Sequence, residues 1–188
     1  MRFASMRNLD ISNGEGVGVS LFVQGCDRHC FNCFNPDTWN FNGGKEWTEE
    51  TKNKFIKLID RPYINRISVL GGEPLAEQNL DEVLKLIQEI RISYPEKSIW
   101  LYTGFRWEEL IMYNSYNSFI PLELNLRKDI YELYIKRHQI IELCNIVVDG
   151  EYIDEQKDIT LKWRGSKNQR CIDVQQSLAQ NKIILYCD

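Results

Sequence analysis

Three cysteines, Cys26, Cys30 and Cys33, fall within the stretch "GCDRHCFNCFNP" at residues 25–36. Thiolates at this spacing suit two kinds of metal chemistry. A structural zinc site takes four ligands and leaves nothing open; its fourth would have to come from His29 or from a remote residue such as Cys144. A cubane iron–sulfur cluster also normally takes four cysteines. With three, one iron lacks a protein ligand and can bind a small molecule that offers nitrogen and oxygen donors. Both readings are carried forward.

Composition narrows the setting. Hydrophobic residues make up 43% and charged residues 27% of the 188-residue chain, so one well-cored domain over residues 1–188 is expected. The formal net charge of -4 gives no footprint for nucleic acid or an anionic membrane. No apolar run reaches the roughly 18 residues of a membrane span. The first residues, "MRFASMRNLDISNGEG", lack the apolar core of a signal peptide. A cytoplasmic protein is expected, in which six cysteines do not read as three disulfides. Clustered cysteines there point to metal or redox chemistry. Cys144, Cys171 and Cys187 read as packing residues.

The elements that must position the cysteines alternate in type. "VGVSLFVQ" (17–24) reads as a buried strand, followed by a helix near 48–60 capped by Thr48. "RISVL" (66–70) reads as a second strand. From Asn79, taken as a cap, Val83, Leu86, Ile87 and Ile90 recur at helical spacing. "SIWLY" (98–102) is a third strand, 107–112 a short helix, 127 to about 143 a longer one, and "NIVVD" (145–149) a fourth strand. Residues 113–126 carry no clear pattern. Alternation of this kind implies parallel pairing in an α/β fold.

The strand ends then matter. The cysteine loop follows the first strand, "GGEP" (71–74) the second, "TG" (103–104) the third and "DG" (149–150) the fourth. Ligands of parallel α/β sheets and barrels bind at the carboxyl ends of the strands. Each turn alone could be an ordinary turn; together they place backbone-rich loops beside the cysteines. Iron–sulfur centres that work with S-adenosylmethionine carry out radical chemistry, and such a cosubstrate would fit between cluster and glycine turns.

The C-x3-C-x2-C spacing of Cys26, Cys30 and Cys33 resembles that of the radical S-adenosylmethionine superfamily. "GCDRHCFNCFNPDTWNF", "GGEPL", "WLYTGF", "IVVDGEY" and "WRGSKNQR", in order from "NGEG" at 13 to residue 170, resemble the activating proteins of anaerobic ribonucleoside-triphosphate reductases. That resemblance implies an incomplete (β/α) barrel of the radical S-adenosylmethionine type. It implies that Cys26, Cys30 and Cys33 hold a [4Fe–4S] cluster whose open iron binds S-adenosylmethionine. Reductive cleavage by an electron from flavodoxin or a similar low-potential donor would give a 5'-deoxyadenosyl radical. This radical would take hydrogen from a glycine of the anaerobic ribonucleotide reductase large subunit. Backbone at Asn32, Cys33 and Phe34, and the turn Gly71, Gly72 and Glu73, would line the cosubstrate, with Gly72 bare so that the ligand can approach.

The chain departs from that pattern in three places. Superfamily members often carry an aromatic residue just before the third cysteine, where this chain has Asn32, with Phe34 nearby. Residues 113–140 look longer than their counterpart, and the tail after Arg170 has little to match. Arg164 and Arg170 read equally as surface charges or as ligand or partner contacts. Two other functions stay open. One is the same radical chemistry on another glycyl-radical enzyme or a small molecule; the other is a zinc-stabilised binding module.

Overall fold

In a computed structural model, residues 1–111 and 128–187 are described. Eight strands form one sheet: β1 (Arg2–Asp10), β2 (Gly18–Val23), β3 (Lys45–Glu46), β4 (Arg66–Gly71), β5 (Ser98–Tyr102), β6 (Ile146–Asp149), β7 (Arg170–Asp173) and β8 (Leu185–Cys187). Five α-helices accompany them among the described residues: α1 (Glu49–Ile59), α2 (Glu77–Ser93), α3 (Trp107–Ile111), α4 (Lys128–Leu143) and α5 (Val174–Gln180). The spatial order is β3-β1-β2-β4-β5-β6-β7-β8. The fold is mixed α/β.

The four central strands are those read from the sequence, and β2, β4, β5 and β6 pair in parallel. Parallel pairing does not extend to the rims. The pairs β1–β2 and β1–β3 on one side, and β6–β7 and β7–β8 on the other, are antiparallel. These rim strands carry weak signals. Exposure along β1 follows no alternation, β3 has two residues and β8 has three, mostly exposed. The tail after Arg170, which has little to match in the family pattern, therefore supplies most of β7, then α5 and β8. α5 is capped by Asp173, which accepts from the Gln176 N–H at 2.9 Å, and it ends at Asn181 in the left-handed region.

The two faces of the sheet differ. Val19, Leu21 and Val23, then Ile67 and Val69, then Ile99 and Leu101, with Val147 and Ile172, alternate onto one face. There they pack against Phe55 and Ile59 of α1, the Leu80–Ile90 stripe of α2, and Ile140 and Ile141 of α4 in the main core. Trp100, Ile146, Val148 and Cys171 face the other way in a smaller cluster, with Tyr102, Trp163 and Cys187 packed on it. Helix α1 starts at Thr48 as its sequence suggests, the Thr48 hydroxyl accepting from the Thr51 N–H.

Helix α2 begins earlier than the sequence suggests, its cap being Ala76. Asn79 lies inside the first turn, 1% exposed, and its amide donates to the carbonyls of Gln24 and Glu73 at 3.0 Å each. An Asn is read as a cap because its side chain can mimic backbone. Here it does so across the fold, tying the end of β2 to the turn after β4. Helix α3 ends its described part at Ile111; Met112, residues 113–126 and residue 127 lie outside the described residues.

Candidate functional site

The cysteine loop leaves β2 through Gln24 and Gly25. Buried Gln24 donates through Nε2 to the carbonyls of Asp37 and Asn40 at 2.9 Å each, and so fastens the return of the loop. The Gly25 N–H donates to Thr38 and the Cys26 N–H to Trp39. Gly25 has φ +98°, and a Cβ there would stand 2.0 Å from the Phe41 ring. Only glycine fits that corner. The loop then passes His29 and Asn32, both at positive φ, and turns through a Cys33 N–H to Cys30 carbonyl bond of 3.1 Å.

Cys26, Cys30 and Cys33 are all half-buried and all line one open cleft of about 600 Å³. Each sulfur is met by backbone amide. The N–H groups of Arg28 and His29 point at Cys26, that of Tyr152 at Cys30, and that of Asn35 at Cys33 at 3.4 Å. Burial pushes the Cys26 thiol up to about 11, with Glu73 and Asp27 adding to the rise, and burial raises Cys30 as well. Cys26 and Cys30 are thus held toward the thiol form by the loop alone, and a bound metal would supply the positive charge that makes thiolates of them. Three sulfurs that line one cleft, each with an amide donor, suit an iron–sulfur cluster, whose sulfurs are tuned by such bonds; among the described residues no three His, Cys, Asp or Glu side chains are grouped to hold a single metal ion. The candidates for a fourth zinc ligand are engaged elsewhere. His29 stacks on Trp39 with ring centres 4.7 Å apart, and Cys144 is buried against the Ile140 carbonyl at 3.2 Å.

The turn after β4 packs directly on this loop. The Gly72 N–H donates to Val23 at 3.0 Å and the Glu73 N–H to Gly25 at 2.8 Å. A Cβ on Gly72 would lie 2.3 Å from the Gly25 carbonyl oxygen, so Gly72 is bare chiefly for backbone against backbone. The expectation from the sequence that Gly72 is bare for a ligand thus meets a second demand at the same position, the close approach of the Gly25 backbone. Gly71 has φ +109° and packs on Phe22.

Glu73 is 1% exposed. Its Oε1 accepts from the Leu75 N–H at 2.9 Å and the Thr103 hydroxyl at 2.8 Å, and its Oε2 from the Gly104 N–H at 2.7 Å. Burial raises its pKa, opposed by these donors and by Arg28. The carboxylate joins the turns after β4 and β5. Glu73→Gln should therefore lower stability by about 1–3 kcal/mol, because an amide NH2 facing one of these N–H groups leaves a buried donor unpaired. Urea unfolding of the cluster-free chain measures this, and an unchanged midpoint would remove the carboxylate from that role.

The cleft gathers Cys26, Cys30, Cys33, Phe34, Gly71, Gly72 and Glu73, as the sequence suggests. The Asn32 side chain instead donates to Asp154 at 2.8 Å. Phe34 rests beside Tyr152 and against Gly165, where a Cβ would come within 2.7 Å of its ring. Sequence reasoning missed Arg28, Tyr102 and Tyr152, which also line the cleft. Arg28 pairs with Glu151 at 2.8 Å and lies over the Phe105 ring at 4.0 Å, holding the cysteine loop to the segment after β6. Its only sequence signal is a position between two of the cysteines.

Asp149 and Arg170 form a second joint. Arg170 grips Glu108 with two bonds of 2.9 Å and Asp149 with two of 2.5 and 3.0 Å, while Asp149 also accepts from the Trp107 N–H at 2.7 Å. This arginine is committed within the chain and holds β6, β7 and α3 together.

The sequence profile of the 4Fe-4S single cluster domain family matches residues 12–172. The chain is 36% identical to the anaerobic ribonucleoside-triphosphate reductase-activating protein of Salmonella typhi over 171 residues, covering 90% of this chain and 96% of that one. It is 34% identical to the protein of the same name from Escherichia coli strain K12, with the same coverage. The phage T4 counterpart is 31% identical over 172 residues, with 90% and 92% covered.

Proposed function

The chain belongs to the family of anaerobic ribonucleoside-triphosphate reductase-activating proteins, and we propose that it installs a glycyl radical on the large subunit of an anaerobic ribonucleotide reductase. The observation that carries this reading is the cleft. Three cysteines, each with an amide directed at its sulfur, face a glycine turn across an open space at the carboxyl ends of parallel strands. A bound [4Fe–4S] cluster with S-adenosylmethionine supplies low-potential reductive cleavage, and with it the radical chemistry that removes hydrogen from a protein glycine.

The chain's own residues do the rest. Cys26, Cys30 and Cys33 hold the cluster. The bare backbone of Gly71 and Gly72, held by Glu73, borders the space for S-adenosylmethionine, and Phe34 offers the aromatic face that Asn32 lacks. Backbone at Asn32 and Cys33 completes that side. The cleft is open, as a substrate that is a loop of another protein requires. In this reading residues 1–188 are one domain and the sheet, which among the described residues runs from β3 to β8 without closing, is an incomplete (β/α) barrel. No helix among the described residues is long and apolar enough to cross a membrane. A cytoplasmic site and a flavodoxin-like electron donor suit the chemistry.

The test combines the reconstituted chain, a cognate anaerobic reductase carrying deuterated glycine, S-adenosylmethionine and a low-potential reductant without oxygen. A persistent radical whose hyperfine splitting responds to the deuterium is the expected spectrum. The chain alone should cleave S-adenosylmethionine only slowly. No radical, or a splitting indifferent to deuterium, would favour a different substrate. A colourless reconstituted protein would favour the zinc module.

A further inference from the structure

Two cysteines outside the cleft face each other. Cys171 on β7 and Cys187 on β8 are directly opposed across an antiparallel pair. Residues so opposed have Cα atoms about 4.5–5.5 Å apart, within the range of about 4.4–6.8 Å that a disulfide spans. The next pair in register is Ile172 with Leu185, which leaves Tyr186 as an extra residue in β8. Such a bulge re-aims side chains. Tyr186 packs on Trp100 with ring centres 5.4 Å apart, and its neighbour Cys187 packs on the same small cluster as Cys171.

The two sulfurs have different surroundings. Cys171 is fully buried and burial pushes its thiol up to about 12, with Cys187 adding to the rise and Arg164 opposing it. Cys187 is half-buried, and the Arg164 guanidinium donates to its sulfur at 3.7 Å. Cys187 is thus the member of the pair that an incoming disulfide can reach. A buried thiol directly opposite is placed to resolve the product.

We propose that Cys171 and Cys187 are a second redox centre, a dithiol that closes to a disulfide when it meets an oxidised low-molecular-weight disulfide. The Cys187 thiolate attacks one sulfur of oxidised glutathione, releasing one glutathione thiolate and leaving a mixed disulfide. Cys171 gives its proton to the released glutathione thiolate and attacks the Cys187 sulfur, and the second glutathione leaves as its thiolate. Two protein thiols are oxidised and one external disulfide is reduced. The link fastens β8 to β7 beside Arg164, whose guanidinium interacts with both sulfurs and which lines the cleft. This centre is independent of the cluster and of the activity proposed above.

Full-length protein is equilibrated without oxygen at graded ratios of reduced to oxidised glutathione, then alkylated and digested with trypsin. Cleavage after Arg170 and Lys182 separates the two cysteines onto residues 171–182 and 183–188. The linked pair of peptides should rise from a trace to the main form as the ratio becomes oxidising. In Cys187→Ser it should be missing. In Cys171→Ser, Cys187 should persist as the glutathione mixed disulfide. Two separately alkylated peptides at every ratio, or a wild-type Cys187 held only as the mixed disulfide, would overturn the proposal.

Discussion

Cys30→Ala is expected to leave a folded chain that binds no [4Fe–4S] cluster and cleaves S-adenosylmethionine at less than about a hundredth of the wild-type rate. A cluster with only three cysteine ligands has none to spare. Cys30 also ties the loop to the strand-end segments, because its sulfur takes the Tyr152 N–H from beyond β6. The fold should survive, since Cys30 is only half-buried and none of the main core rests on it. Iron analysis, visible absorption and reductive cleavage assays measure the loss, and circular dichroism reports the fold. Cys144→Ala is the informative comparison. It removes a wholly buried thiol and should cost stability without touching iron content. If Cys30→Ala keeps its iron while Cys144→Ala loses it, the cluster lies elsewhere in the chain.

The central strands were legible because each is a short apolar run ended by a glycine turn, and burial of both faces demands that composition. Convergence of the cysteine loop, "GGEP", "TG" and "DG" followed from the polarity of parallel strands alone. The rims were not legible. β1 and β8 are held mainly by backbone pairing and by single contacts such as Trp100 on Tyr186, which leave no period in the sequence. The joints of the site were hidden for a related reason. Apart from the Glu73 bond to the Leu75 N–H, Asn79, Glu73 and Arg170 make their bonds to residues 6–62 positions away. A buried polar residue looks like a surface one in sequence until its partners are known. Asn79 and Glu73 were accordingly read by local rules, as a cap and a turn, and the fold uses both as long-range clamps.

Gly72→Val is expected to lose cluster as well as cosubstrate, which separates the structural account of this turn from the simpler one. The sequence alone suggests a bare backbone for a ligand to approach, and then only S-adenosylmethionine affinity would fall. The structure puts the Gly25 carbonyl oxygen 2.3 Å from the added Cβ, with the Gly25 carbon at 2.9 Å and nitrogen at 3.1 Å. Those atoms are backbone and cannot rotate away. Gly25 immediately precedes Cys26, and its carbonyl is held by the Glu73 N–H. Relief therefore requires the turn and the cysteine loop to move apart, at a cost of about 1–3 kcal/mol or more for overpacking. Cys26 would move with Gly25 away from the position it shares with Cys30 and Cys33. Iron per chain after anaerobic reconstitution should fall by about tenfold, and S-adenosylmethionine titration of the reduced remainder should show weak binding. Gly104→Ala calibrates the effect. Its Cβ would meet the Arg28 side chain at 3.0 Å, a neighbour that can shift, so iron content should stay near wild type. Full iron loading of Gly72→Val with only weakened cosubstrate binding would restore the ligand-approach reading. Wild-type behaviour in both measurements would take the turn out of the site. Because iron is measured apart from turnover, the result does not depend on which partner the radical finally reaches.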